Sequence, residues 1–160
     1  MTVNTKTATG RRELHFNSLD DLLADAEALA NGKVHLIGNW SLAKIYGHLA
    51  RTVTYSLDGY PFKAPWFMRA MVRLFMKKKL LTRPLPSGFQ IPEKNRTDFI
   101  PDNDETEIGL TELRDAIARF KTDKTRVAHP FLGSLTEEEW ERFHCRHAEL
   151  HMSFALPVED

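Results

Sequence analysis

Only one cysteine, Cys145, occurs in the chain, so no internal disulfide can brace the fold and stability has to come from an apolar core. Net charge is missing too. Its 22 basic residues balance 22 acidic ones, which removes the long-range attraction for nucleic acid that a strongly basic protein carries, and nucleic acid is not expected as a partner. The N-terminus, MTVNTKTATGRREL, lacks the apolar stretch of a secretory leader, and the cytoplasm is the simplest compartment to expect. No run approaches the roughly 18 uncharged apolar residues of a membrane span. The most apolar region, 65–82, is interrupted by Arg69, Arg73 and a lysine run, so no transmembrane segment is expected. Internal repeats and low-complexity tracts are absent as well, and 160 residues suit a single domain.

What the chain does have is helical periodicity. The first dozen residues are polar and aperiodic, which predicts a disordered tail, 1–12, ahead of one helical domain, 13–160. Ser18 is suited to cap LDDLLADAEALAN, where Leu19, Leu22, Leu23, Ala26, Leu29 and Ala30 recur at three and four residues and Gly32 supplies a stop. A second helix of about sixteen residues follows Ser41, with Leu42, Ile45, Leu49 and Val53 as its stripe and Gly59 and Pro61 as its end. Residues from Pro65 to just before Pro84 read as one unusually basic helix. The stretch 84–104, with four prolines and Gly88, reads as a long extended connection. Leu110, Leu113, Ile117 and Phe120 mark another helix, and Thr136 with Glu139 forms a capping box before the last. Four or five helices and no clear strand predict an all-α bundle with a short additional helix.

The last helix carries His144, His147 and His151, which project within about 60° of one another alongside Trp140, Phe143, Leu150 and Phe154. Arg142, Arg146 and Glu149 fall on the opposite side, so the histidines are expected to point inward. The one-turn pair His147 and His151 can share a small cation, but two ligands make a weak site. His48, mid-helix beside Ile45 and Thr52, is the candidate third ligand; its wheel position suits a hydrogen-bonded core residue equally well. HAELH is not the zinc-protease pattern, since Glu149 lies two residues after His147 where that pattern needs one, and proteolysis is disfavoured.

Two stretches, NWSLAKIYGHLA and HPFLGSLTEEEWERFHCRHAELHMSF, resemble the DinB-like (YfiT-type) metalloenzyme superfamily, in a bacterial branch classed as a domain of unknown function. YSLDGYPFKAPWFMR and LLTRPLPSGFQIP are similar to the same branch, so the likeness covers approximately residues 13–157. This resemblance implies a DinB-like four-helix bundle, often a homodimer, with a divalent metal held by residues matching His48, His147 and His151. Zinc, nickel and iron all suit such ligands. Characterised relatives include transferases and isomerases that use a low-molecular-weight thiol such as bacillithiol or mycothiol, with the metal activating the thiol.

His144 exceeds the three-ligand pattern and is read first as a residue supporting the ligands, then as a fourth ligand or a core residue. Trp40, Tyr55 and Trp140 are candidates to line a pocket, although Trp40, just before Ser41, reads first as a hydrophobic staple. Cys145 lies away from the proposed metal and reads as buried and inert. His129, before Pro130, is expected to be structural, and His15 and His35 to be surface residues. The basic segment, with Arg69, Arg73, Lys77, Lys78, Lys79 and Arg83 among Trp66, Phe67, Met71, Leu74 and Phe75, has the composition of a surface-lying membrane helix. The preferred reading pairs its charges with Asp98, Asp102, Asp104, Glu105 and Glu107, within the chain or across a dimer.

Together these features favour a metal-dependent enzyme of the small-thiol S-transferase type acting on a small-molecule substrate, with its catalytic residues unassigned. One alternative is a metal-dependent hydrolase with His144 as proton carrier. The other is a non-catalytic helical module that uses the basic helix 65–83 to bind a partner or a membrane surface.

Overall fold

Hydroxyl caps open three of the four long helices. In the computed structural model, which describes residues 2–88 and 93–158, α1 (Leu19–Asn31) starts at Ser18, whose side chain accepts from the Asp21 amide. A strand β1 (Val34–Leu36) follows, and then α2 (Leu42–Asp58), where Ser41 accepts from the Lys44 amide. Next come α3 (Trp66–Met71), a π-helical turn Val72–Met76 and α4 (Lys77–Thr82) without a break. A 3-10 turn Glu93–Asn95 leads into α5 (Arg96–Phe99), followed by α6 (Thr106–Thr122). The predicted capping box of Thr136 and Glu139 is formed at the start of α7 (Glu137–Met152), and β2 (Ala155–Pro157) comes last.

The chain is therefore mostly helical. Three departures from the sequence reading have local causes. The basic stretch is not one regular helix but carries a π turn in its middle. The connection 84–104 is not wholly extended, because it contains the 3-10 turn and α5; residues 89–92 lie outside the described residues. Finally, β1 and β2 pair antiparallel, Val34 with Pro157 and Leu36 with Ala155. Three-residue strands from distant parts of the chain leave no period-2 signature to read.

Packing centres on α2, which lies against both α6 and α7, while α1 lies against the same two helices. Close approach of α6 to α2 depends on Gly109, where a Cβ would come 2.7 Å from the Ala43 carbonyl oxygen. Leu19, Leu22, Leu110, Leu113, Ile117 and Trp140 fill the core between them. Tyr46 ties α2 to α1 by donating to the Ala26 carbonyl at 2.9 Å.

The end of the N-terminal tail is held against the helices. Arg12 donates to both carboxylate oxygens of Asp25, at 2.9 and 2.5 Å, and Arg11 donates to Ser153 Oγ and the Leu150 carbonyl. Residues 15–16 also cover a face of α7 that the helical wheel assigned to the outside. Arg146 and Glu149 are buried there as an ion pair at 2.6 Å. Glu149 accepts from the Phe16 amide, and Arg146 donates to the Phe16 carbonyl, so backbone from another segment takes the place of water.

Candidate metal centre

One helical turn separates His147 from His151 on α7, and His48 reaches them from the middle of α2. His48 Nε2 lies 3.2 Å from His147 Nε2, and His151 Nε2 lies 3.1 Å from the same atom. A nitrogen from each of the three falls within 4.8 Å of the others, and among the described residues no other three His, Cys, Asp or Glu side chains are grouped in this way. His48 is buried, whereas His147 and His151 are half-buried.

Hydrogen bonds decide which nitrogens face inward. The Phe99 carbonyl can only accept, so His48 Nδ1, 3.0 Å away, carries the proton and leaves Nε2 with a free lone pair. Thr52 spends its hydroxyl proton on the Leu49 carbonyl at 2.9 Å, so its oxygen accepts from His147 Nδ1 at 3.4 Å. His147 Nε2 is then bare as well. Two lone pairs thus face each other at 3.2 Å, an arrangement that is repulsive unless a cation stands between them.

Charge on the imidazoles is disfavoured. Burial, with a smaller contribution from Arg51, brings His48 down to about 4, against the opposing effect of the Phe99 carbonyl. His147 is held well below the usual histidine range by burial and then by His151 and His48; His151 is lowered by burial and then by His48 and Arg11. Neutral imidazole is the form that binds a metal ion.

Trp40 stands against two members of this group. Its ring stacks on His151 at 5.0 Å and 6° and meets His48 edge-on at 5.0 Å, so it walls the triad while also packing on the core. Tyr55 does not touch the triad. Its hydroxyl donates to the Asp98 carbonyl at 2.6 Å, and Arg51 donates to the Thr97 carbonyl at 2.6 Å, so both hold α5 where the Phe99 carbonyl can reach His48. Tyr55 also lines a shallow surface groove between α2 and α6 with Arg51 and Arg119.

His144 and Trp140 lie deeper in the core. His144 Nε2 is 3.3 Å from Ser56 Oγ, its ring stacks on Trp140 at 5.3 Å, and it is not one of the three grouped histidines. Trp140 is fully enclosed and packs between His144 and Tyr60. Burial pushes the Cys145 thiol up to about 12, as expected of an inert cysteine. His129 organises its own loop, since Nδ1 accepts from the Phe131 and Leu132 amides at 3.1 Å each.

The sequence reading missed Thr52, Phe99 and Arg51 as parts of this region. Thr52 follows His48 by one turn and could have been found by that spacing. Phe99 contributes a backbone atom, which carries no residue-type signal.

No match was found among curated proteins or among solved structures. The chain does match a protein family over residues 8–158, and it therefore belongs to DUF1569, a family described as proteins of unknown function.

Proposed function

We propose that His48, His147 and His151 hold a divalent ion and that the protein is a metal-dependent enzyme of the small-thiol S-transferase type on a DinB-like four-helix bundle. The observation that carries the reading is the convergence of three Nε2 atoms, two of them with their protons committed to Phe99 and Thr52 on the far side of the ring. Neighbouring ligand nitrogens in a tetrahedral zinc site with bonds near 2.0–2.1 Å stand about 3.3 Å apart. Separations of 3.1 and 3.2 Å match that closely.

Three neutral imidazoles leave coordination positions open, and a bound divalent ion there lowers the pKa of a thiol or water that shares it. The protein's own residues set the conditions. Phe99 and Thr52 orient two rings, Trp40 walls one side, and the half-buried His147 and His151 leave an approach from outside. The chain has no thiol of its own to offer, because Cys145 is its one cysteine and is buried. A thiol used here has to arrive as a small molecule, and the electrophile it attacks is the small-molecule substrate. The hydrolase alternative relied on His144 as a proton carrier, and its bond to Ser56 gives it another task.

Plasma mass spectrometry on untagged protein tests the reading. Near-stoichiometric zinc, nickel or iron in the wild type, lost in each of His48→Ala, His147→Ala and His151→Ala, supports it. A wild type that stays metal-free after incubation with salts of all three sinks it. Turnover of electrophilic probes with and without added thiol then separates transferase from hydrolase.

A further inference from the structure

The helical run through α3, the π turn and α4 leaves most of its large apolar side chains outside the core. Trp66 is 80%, Leu74 75% and Phe75 80% exposed, with Phe67 and Met71 more than half exposed. Beyond this run the exposed large apolar side chains among the described residues are Val3, Ile108 and Val158. The inward edge of the run keeps its phase across the π turn. Met68, Val72, Lys77 and Leu81 are partly or fully buried, at spacings of four, five and four, and the wider middle step is the residue that the π turn absorbs. Val72 and Leu80 pack on the core, Leu81 belongs to it, and Lys77 is tied to Glu139 at 2.8 Å. One edge is anchored while the opposite face stays apolar.

Charge follows the same layout. Between Asp58 and Glu93 the chain has no acidic residue, but it has Lys63, Arg69, Arg73, Lys77, Lys78, Lys79 and Arg83. Among the described residues the expected pairing with the acidic stretch does not form: Asp104 meets Lys44, Glu107 meets Arg114, and Lys77, bound to Glu139, is the one cation of this segment in an ion pair.

We propose that this segment docks flat on an anionic phospholipid surface. Trp66, Phe67, Met71, Leu74 and Phe75 enter the headgroup boundary, and the flanking lysines and arginines meet lipid phosphates. The run is about 25 Å long and too charged to cross a bilayer, so it lies in the interface plane. Nucleic-acid phosphates would use the cations but leave the apolar face in water. Among the described residues a second copy has no other exposed apolar face to offer, and the segment paired with itself across a twofold axis would set cation against cation.

Co-sedimentation of the untagged full chain with vesicles of phosphatidylcholine alone, and of phosphatidylcholine mixed with phosphatidylglycerol, tests this directly. The chain is expected to pellet with the anionic vesicles, to stay in solution with the neutral ones, and to be released by salt. Lys78→Glu with Lys79→Glu should weaken partitioning by roughly 30-fold or more. Trp66→Ser with Phe75→Ser should abolish it while all basic residues remain. These side chains are exposed, so circular dichroism and metal content should not change. A blue shift of Trp66 emission on anionic vesicles, missing in Trp66→Phe, reads insertion without a charge or serine substitution. Failure of the wild type to bind anionic vesicles, or equal binding by both double variants, overturns the proposal. So does a wild-type dimer in sedimentation velocity that Trp66→Ser with Phe75→Ser converts to monomer, because the face then belongs to a second copy.

Discussion

Phe99 holds His48 by its backbone: its carbonyl accepts from His48 Nδ1 at 3.0 Å, while its ring lies 6.5 Å from the imidazole. No side-chain change at position 99 deletes that acceptor directly. It can be reached through the struts that hold α5. Tyr55→Phe removes the bond to the Asp98 carbonyl, and Arg51→Ala removes those to Thr97 and Asp98. Each is expected to lower zinc affinity, and the pair together by about 10-fold or more, as supporting contacts to metal-bound histidines do. Competition against a chromogenic chelator measures it; an unchanged affinity in the double variant would mean that Phe99 has no part in holding the ring.

Thr52 gives a cleaner comparison, because its role is a single oxygen. Thr52→Val keeps the shape and removes the acceptor for His147 Nδ1, whereas Thr52→Ser keeps it. Zinc affinity should fall about 10–100-fold in the valine variant and stay near wild type in the serine variant. Equal loss in both would point to packing.

Acid should destabilise the fold partly through His129. Burial lowers it from 6.5 in the unfolded chain to about 3 in the folded one. Between those values the unfolded state takes up the proton first, so the stability from neutral His129 is complete above pH 6.5 and is lost as pH falls towards 3. Protonation would also occupy the Nδ1 that accepts from Phe131 and Leu132. His129→Asn can retain an acceptor without titrating. Urea midpoints from pH 7.5 down to 4.5 should show its slope shallower than wild type by up to about 1.4 kcal/mol per pH unit. Parallel slopes would clear His129 of the effect.

Cys145 should react with Ellman's reagent only after unfolding, because it is buried and its thiol is pushed up to about 12. Rapid labelling of the native chain would contradict that and would reopen an internal thiol as the nucleophile.

Gly109→Ala should cost about 1–3 kcal/mol, since the new methyl meets the Ala43 carbonyl oxygen at 2.7 Å and backbone cannot swing aside. A lowered Tm is expected, and a Tm equal to wild type would show that α2 and α6 can part without penalty.

Much of this was legible from residue spacing. Ser18, Ser41 and the Thr136–Glu139 box start helices where their chemistry says they should. The turn spacing of His147 and His151 placed them on one face, and the structure brings His48 to them. The same wheel grouped His144 with them, but a wheel cannot know that Ser56 waits on α2 for its Nε2. It also sent Arg146 and Glu149 to solvent, because the Phe16 backbone that bonds to each of them comes from 130 residues or more away. The π turn escaped because periodicity is read at a fixed step, and one absorbed residue shifts the phase without changing composition.

His48 and His147 stand 99 positions apart in the chain. An ion held between them, as proposed, would act as a reversible cross-link, closing most of the polypeptide into one loop and clamping an early helix to the last one. On the proposed site such a cross-link would favour the folded chain over the unfolded one, so thermal stability should rise with free-ion concentration and fall when a chelator removes the ion.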